Sequence, residues 1–287
     1  MNDRLQAIRN KMAGLNLQGM IIANPINIRY LTYKKYKEYI RKFKINNFVE
    51  AEEIINQLRM IKDDEEIANI KKACEITDNC FEMIKKYIKP GLTEKQIARK
   101  IHDYYMDNSE GESFETIVAS GENSSKPHAI PTDRVIQTQD IITIDMGCIV
   151  DGYCSDMTRT IFIGEPTQEQ KDIYNLVLKN QKMALNQVRD GANIKTIVKG
   201  VESDFNVNGH TLIHSLGHGV GLNIHEGPIV GIKNDTSLKE NMVITDEPGI
   251  YIAGNFGVRI EDTVLVTKKG AIALTESDKE CIILKAL

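Results

Sequence analysis

Asp145 and Asp156 stand in the two β-like runs of I-I-T-I-D-M-G-C-I-V-D-G-Y-C-S-D-M-T-R-T-I-F-I-G at residues 141–164. Asp151-Gly152 lies between two alternating runs and is a strong two-residue hairpin signal. With these two as the central turn residues, Val150 pairs with Tyr153, Asp145 faces Thr158, and Asp156 faces Gly147. Side chains alternate with period two along a strand, so Asp145, Gly147, Asp156 and Thr158 share one sheet face and the two carboxylates are diagonal neighbours. Aspartate is a poor strand former, and two acids placed close together repel and resist burial. Most strand carboxylates simply face solvent. Here the shared face, with Gly147 expected to leave space between the acids, favours a bound cation instead.

A second acidic pair follows in M-V-I-T-D-E-P-G-I-Y-I and F-G-V-R-I-E-D-T-V-L-V-T, which place Glu247 and Glu261 in neighbouring β segments. Pro248-Gly249 interrupts the ladder, so their facing does not follow from counting. Between the two pairs runs G-H-T-L-I-H-S-L-G-H-G-V-G-L-N-I-H-E, residues 209–226, whose glycines at 217, 219 and 221 deny it a stable helix and are expected to let backbone approach a ligand. Beyond His210 at its entry, this segment holds His214, His218 and His225, and the loop S-S-K-P-H-A-I-P holds His128. A lone loop histidine is usually an ordinary hydrogen-bonded residue, but four with nearby carboxylates suggest a site. His102, on a helix, and His210, at a loop entry, keep the ordinary reading.

Positioning these groups requires a frame, and the chain is long enough for one. It has 287 residues, 41% hydrophobic and 26% charged, a globular composition that excludes disordered and collagenous proteins. Five cysteines, with no C-x-x-C pair, fit neither a disulfide framework nor a zinc knuckle and suit a reducing cytoplasm. The N-terminus M-N-D-R-L-Q-A-I-R-N-K-M has charges where a signal peptide needs its apolar run, and no stretch approaches a membrane span, so a soluble, unexported protein is expected. Residues 1–62 carry 12 Lys and Arg against 5 Asp and Glu, leaving 24 against 35 in the remainder. The basic run from Lys34 to Lys44 could suggest nucleic acid. However, Tyr33, Tyr36, Ile40 and Phe43 form one face of an amphipathic helix with a solvated basic side, so no nucleic-acid partner is expected.

Periodicity predicts helices over 3–18, about 34–44, 50–58, about 63–88 and 168–189, with a short strand over 19–23. Asp63 and Glu66 suit a capping box, and Lys89-Pro90-Gly91 ends the fourth helix. A repeat appears at a period of 100 residues: Gly91, Lys95, Ile97, Ile101 and Tyr105 correspond to Gly191, Lys195, Ile197, Val201 and Phe205. Each set is a turn glycine followed by a helix with one apolar face, preceded by another helix and followed by paired β segments. An α+β duplication is expected.

H-S-L-G-H-G-V-G-L-N-I-H-E, from His214 to Glu226, resembles the proline-peptidase signature of the pita-bread metallopeptidases. That group contains Xaa-Pro aminopeptidases, Xaa-Pro dipeptidases (prolidases) and methionine aminopeptidases. D-M-G at Asp145, S-D-M-T-R-T at Asp156, E-P-G-I-Y at Glu247 and G-V-R-I-E-D-T at Glu261 follow the family order, so the similarity covers about 58–287. The resemblance implies a pita-bread (creatinase/aminopeptidase-like) catalytic domain over 58–287, with internal pseudo-twofold symmetry, behind a shortened N-terminal α/β segment, 1–57. It further implies that Asp145, Asp156, His218, Glu247 and Glu261 hold two divalent metal ions, Asp156 and Glu261 bridging them. The ions would share a water, lower its pKa and polarise the scissile carbonyl. One imidazole among four carboxylates is compatible with Mn²⁺, Co²⁺, Zn²⁺ or Fe²⁺, with Mn²⁺ preferred here. Glu247 is then the proton shuttle, and His128 and His225 bind substrate and stabilise the oxyanion. His214 lines the substrate pocket. Arg259 is grouped with the substrate-binding residues and read as a charge that fixes a neighbouring carboxylate.

G-V-R-I-E-D-T and His214 favour the Xaa-Pro type over a methionine aminopeptidase, and the complete quintet argues against a catalytically inactive binding protein of the same fold. The opening R-L-Q-A-I-R-N-K-M-A-G-L-N-L-Q-G-M-I-I-A-N-P-I-N-I-R-Y-L-T resembles the start of the family's N-terminal domain, but most of that domain's sheet is missing internally. A homodimer is a candidate assembly, and substrate length and dimer geometry depend on the missing part. Asp246 also departs from the pattern, standing where relatives have an apolar residue; it either faces solvent or perturbs the adjacent ligand.

Overall fold

The computed structural model describes residues 3–15, 17, 20, 22, 24, 26, 27 and 52–285. The expected basic helix over about 34–44 lies outside the described residues, and the expected strand over 19–23 lies largely outside them. Helix α1 (Asp3–Gly14) stops short of residue 18. It packs on α2 (Glu52–Arg59) through buried Ile8 and Ile55, with Leu222 of the histidine-bearing segment against the same cluster.

Helix α3 (Asp64–Tyr87) opens on the expected capping box: the Asp63 side chain accepts from Glu66 N, and that of Glu66 accepts from Asp63 N. Helix α4 (Glu94–Asn108) starts from the same device, with Thr93 and Gln96. Its stripe Ile97, Ile101 and Tyr105 is fully buried against α3 and against Val118, Ile142 and Ile144 of the sheet beneath. That sheet comprises β1 (Ile117–Ser120), β2 (Ile141–Met146), β5 (Met157–Ile163) and β13 (Ile282–Leu284), in the order β1-β2-β5-β13. The short ribbon β3 (Ile149–Val150) and β4 (Tyr153–Cys154) closes the hairpin.

The hairpin register is the one the sequence predicts. Asp145 faces Thr158, Met146 faces Met157 and Val150 faces Tyr153. Asp151 and Gly152 both have positive φ, 46° and 78°, as a type I′ turn requires. Gly147 has a different purpose from the one expected. A Cβ there would lie 2.0 Å from Ser155 O and 2.4 Å from Ser113 Oγ, so the glycine admits neighbouring protein atoms and leaves no space for a ligand.

The second half repeats the plan. Helices α5 (Gln168–Leu185), which ends before residue 189, and α6 (Ile194–Val207) cover a sheet ordered β12-β11-β8-β6-β7. Its strands are β6 (Gly217–Gly219), β7 (Glu226–Val230), β8 (Val243–Asp246), β11 (Asp262–Val266) and β12 (Ala271–Ala273). The ribbon β9 (Gly249–Ile252) and β10 (Phe256–Arg259) joins the two sheets. The 100-residue repeat is structural. Gly91 and Gly191 both adopt positive φ, and Thr93 and Asn193 cap equivalent helices. Gly91 N donates to Ile136 O as Gly191 N donates to Leu238 O, and Ile136 N donates to Leu92 O as Leu238 N donates to Ala192 O. Each half buries its own apolar core on the helix side of its sheet, and the opposite faces are left to meet each other.

Candidate active site

The functional side chains stand where the two sheets face one another. Asp145 sits near the end of β2, Asp156 just before β5, Glu247 just after β8, and Glu261 between β10 and β11. The pairs are interlocked across the pseudo-twofold. Thr158, two residues beyond Asp156, donates through Oγ1 to Glu261 Oε2 at 2.5 Å, and its carbonyl accepts from Glu261 N at 3.1 Å. Thr263, two residues beyond Glu261, exchanges hydrogen bonds through Oγ1 with the backbone N and O of Asp156. Each acid is therefore set by a threonine of the other half.

His218 lies in β6 between glycines that the packing requires. A Cβ at position 217 would meet Thr245 O at 2.1 Å, and one at 219 would meet Gly227 O at 2.0 Å. These glycines thus bring strand against strand, which corrects the expectation that they serve a ligand directly. His218 Nδ1 lies 3.1 Å from Gly219 O; an acceptor there makes Nδ1 the protonated nitrogen, so Nε2 presents its lone pair. That lone pair faces Glu247 Oε1 at 3.4 Å and Asp156 Oδ2 at 3.5 Å. Thr245 accepts from His218 N at 3.0 Å and donates to Glu247 Oε1 at 3.0 Å, coupling the two.

Ligand atoms of Asp156, His218 and Glu261 all lie within 4.8 Å of one another. Burial and the neighbouring carboxylates raise Asp156 and Glu261 well above the usual carboxylate range, and burial pushes Glu247 up to about 7. Burial also holds His218 down, to about 4, so its imidazole is neutral. Asp145 Oδ1 is buried without a hydrogen-bond partner, while Oδ2 accepts from Arg259 Nη2 at 2.8 Å. Acids that resist ionisation, a neutral imidazole aimed among them and an orphaned carboxylate oxygen together fit divalent cations held by this set.

The remaining predicted residues share the same cavity, of about 860 Å³, lined among others by His128, His214, His225 and Arg259. His225 stacks edge-on to His218 with ring centroids 4.2 Å apart, and burial lowers its pKa. His128 is exposed on the loop after β1. Arg259 is nearly fully buried: besides Asp145 it reaches Thr158 Oγ1 through Nε, and Pro127 O and Tyr251 OH through Nη1. Sequence reasoning missed Tyr251, whose OH also lies 3.1 Å from His214 Nε2, linking that histidine to the guanidinium. It missed Thr158, Thr245 and Thr263 as well. The available signal was period two, since each threonine lies two residues from a proposed ligand.

Asp246, next to Glu247, is turned the other way and buried. Both of its carboxylate oxygens lack a partner, and burial together with Asp262 across the ladder raises its pKa well above the usual range. The solvent-facing alternative is thereby excluded.

Known proteins share this chain's sequence pattern and fold. A Xaa-Pro dipeptidase of Pyrococcus furiosus is 41% identical over 257 residues, 88% of this chain and 73% of that protein. Among solved structures, an X-Pro aminopeptidase of Thermotoga maritima matches at TM-score 0.78 and 39% identity, over 80% of this chain and 66% of that one. A dipeptidase of Pyrococcus horikoshii matches at TM-score 0.81 and 35% identity, over 99% of this chain and 79% of that one. The chain thus spans about two thirds to four fifths of these structures and shares their mixed α+β, pita-bread fold. The sequence profile of metallopeptidase family M24 matches residues 68–268, a span that crosses both halves of the duplication and takes in all five clustered donors. By that match and these identities, the chain belongs to metallopeptidase family M24.

Proposed function

We propose that this chain hydrolyses the peptide bond between an N-terminal residue and a following proline, as the names of its relatives suggest. The convergence of Asp145, Asp156, His218, Glu247 and Glu261 beside a histidine-lined cavity carries this reading. In it those five side chains would hold two divalent ions; the donor set is compatible with Mn²⁺, Co²⁺, Zn²⁺ or Fe²⁺, and manganese is the preferred reading. When bound, such ions lower the pKa of an attacking water and polarise the scissile carbonyl.

The protein's own groups supply the rest. Glu247 Oε1 is engaged by Thr245, which leaves Oε2 to take the proton from the attacking water and return it to the departing proline nitrogen. His225 and His128 approach the carbonyl oxygen, each donating an N–H as negative charge grows there. His214, fixed by Tyr251, walls the substrate side, and Arg259 orients Asp145 while its edge lines the cavity.

The finer features of the reading are a Xaa-Pro peptide partner, a shortened N-terminal segment over 1–57 ahead of the catalytic unit at 58–287, and a homodimer. A cytoplasmic location is supported by five free cysteines. Among the described residues, no helix is long and apolar enough to cross a membrane.

The test is hydrolysis of Ala-Pro, Ala-Pro-Ala and Met-Ala-Ser by metal-reconstituted protein. At least one proline peptide should be cut and Met-Ala-Ser left intact. The reverse pattern would make the chain a methionine aminopeptidase, and no hydrolysis with any divalent ion would make it a binding protein.

A further inference from the structure

Glu94 is the first residue of α4, fully buried, and its carboxylate gathers an unusual number of donors. Oε1 accepts from Ser120 N and Ser120 Oγ, both at 2.7 Å. Oε2 accepts from Thr132 N at 2.9 Å and Thr132 Oγ1 at 2.6 Å. Asn123 Nδ2 reaches both oxygens, at 3.1 and 3.2 Å. Burial alone would raise this carboxyl, yet the hydrogen bonds from Thr132 and Ser120 hold it below its ordinary value.

Ser120 ends β1, and Thr132 closes the loop that carries His128. One carboxylate thus grips both ends of that loop, one oxygen to each. Within the loop, Ser124 Oγ accepts from Gly257 N at 3.0 Å, and Pro127 O accepts from Arg259 Nη1 at 3.1 Å. His128 follows directly after this last anchor.

The internal duplication supplies a comparison. Position 94 corresponds to 194 in the second half, where the residue is Ile194, equally buried in an apolar core. The fold does not require a carboxylate at the start of this helix. Both halves bring a loop histidine to the cavity, His128 after β1 and His225 after β6, but a carboxylate stands at this helix position only in the half that carries His128.

We infer that Glu94 is a positioning residue for His128: by clasping Ser120 and Thr132 it sets the loop so that His128 meets the carbonyl oxygen of the substrate. This rests on the oxyanion role given to His128 above. A glutamine at 94 would turn an amide N–H₂ towards the backbone N–H of Ser120 or of Thr132, opening one end of the clasp.

The experiment is a double-mutant cycle on the metal-loaded full chain, with metal content measured throughout. Glu94→Gln should lower kcat by at least about tenfold at unchanged metal content, with a smaller effect on KM. In a His128→Ala background the same substitution should cost less than about twofold, whereas in a His225→Ala background it should keep its full cost. Equal losses of kcat in the wild-type and His128→Ala backgrounds would overturn the inference, as would a wild-type kcat for Glu94→Gln with only a lowered Tm. Should Glu94→Gln fail to fold, Thr132→Val removes one donor and keeps the carboxylate. It should then lower kcat a few-fold, again only when His128 is present, and an unchanged kcat would count against the clasp. A His128→Ala variant with normal kcat would remove the oxyanion reading itself, an outcome distinct from failure of the clasp alone.

Discussion

His218 and His225 stand 4.2 Å apart by ring centroid, yet their surroundings differ. His218 has its tautomer set by Gly219 O and its lone pair among acids, the pattern of a ligand. His225 lines the same cavity and has the substrate-facing role proposed above. His225→Ala should therefore retain both metals and lose about 10²–10³ in kcat, the cost of one oxyanion donor. Kinetics with elemental analysis would check this, and loss of metal would make His225 a ligand. The raised carboxylates give a second expectation. Glu247, with a folded pKa of about 7 against an ordinary 4.5, favours the metal-free fold only while protonated; that contribution is present below about pH 4.5 and fades as pH rises through 7. Asp156 and Glu261 are shifted in the same direction. Divalent ions need the ionised forms, so they displace these protons and bind more tightly as pH rises. The gap in Tm between metal-loaded and EDTA-treated protein should widen from pH 5 to pH 8; a constant gap would refute the linkage.

At the scale of elements, β8 divides its side chains between two environments. Thr245 and, just beyond the strand, Glu247 face the cavity, while Ile244 joins the helix-side core and Asp246 is turned with it. Asp262, opposite Asp246, takes the hydrogen bonds of Arg159, Lys279, Gln181 and Thr275, and Asp246 receives none from that cluster. Asp246→Val should raise the stability of metal-free protein by about 1–3 kcal/mol, because it removes a buried polar group without partners. Urea unfolding measures this, and destabilisation would reveal a partner for Asp246. Helix α2 shows another link between elements. Arg59 and Lys62, the latter at 2.9 Å, converge on Glu226, fastening the strand next to His225 to the N-terminal part of the fold.

At the scale of the molecule, two similar halves each donate acids to a shared cleft, and neither half has the full set. Asp145 and Asp156 come from the first, His218, Glu247 and Glu261 from the second, so the site exists only when the sheets dock. The chain spans 73% of the Pyrococcus furiosus dipeptidase. The cavity of about 860 Å³ includes Ile130 and Ile229 in its lining, 70% and 62% exposed. Such a cleft should accept peptides longer than a dipeptide. The ratio of kcat/KM for Ala-Pro-Ala-Ala over Ala-Pro, measured with the oligomeric mass, should be about one or greater. Strict dipeptide preference would overturn the open cleft.

The sequence alone determined whatever depends on neighbours along the chain. The Asp151-Gly152 turn imposes its own register, so the facing of Asp145 and Thr158 could be counted. The Asp63 and Glu66 capping box and the repeated helix after Gly91 and Gly191 are likewise local patterns, and the five side chains proposed as donors, which line one cavity, stand in recognisable motifs. Tertiary structure decided what depends on contacts between distant strands. Gly147, Gly217 and Gly219 are needed because other backbone passes within van der Waals distance of them, which spacing cannot show. Asp246 and Glu247 are adjacent residues with opposite fates because a strand sends successive side chains to opposite faces, and only the packed sheet determines what each face meets. Glu94 carries no signal in the sequence pattern; the fold turns it onto Ser120 and Thr132, at the two ends of a loop that the chain closes only in three dimensions.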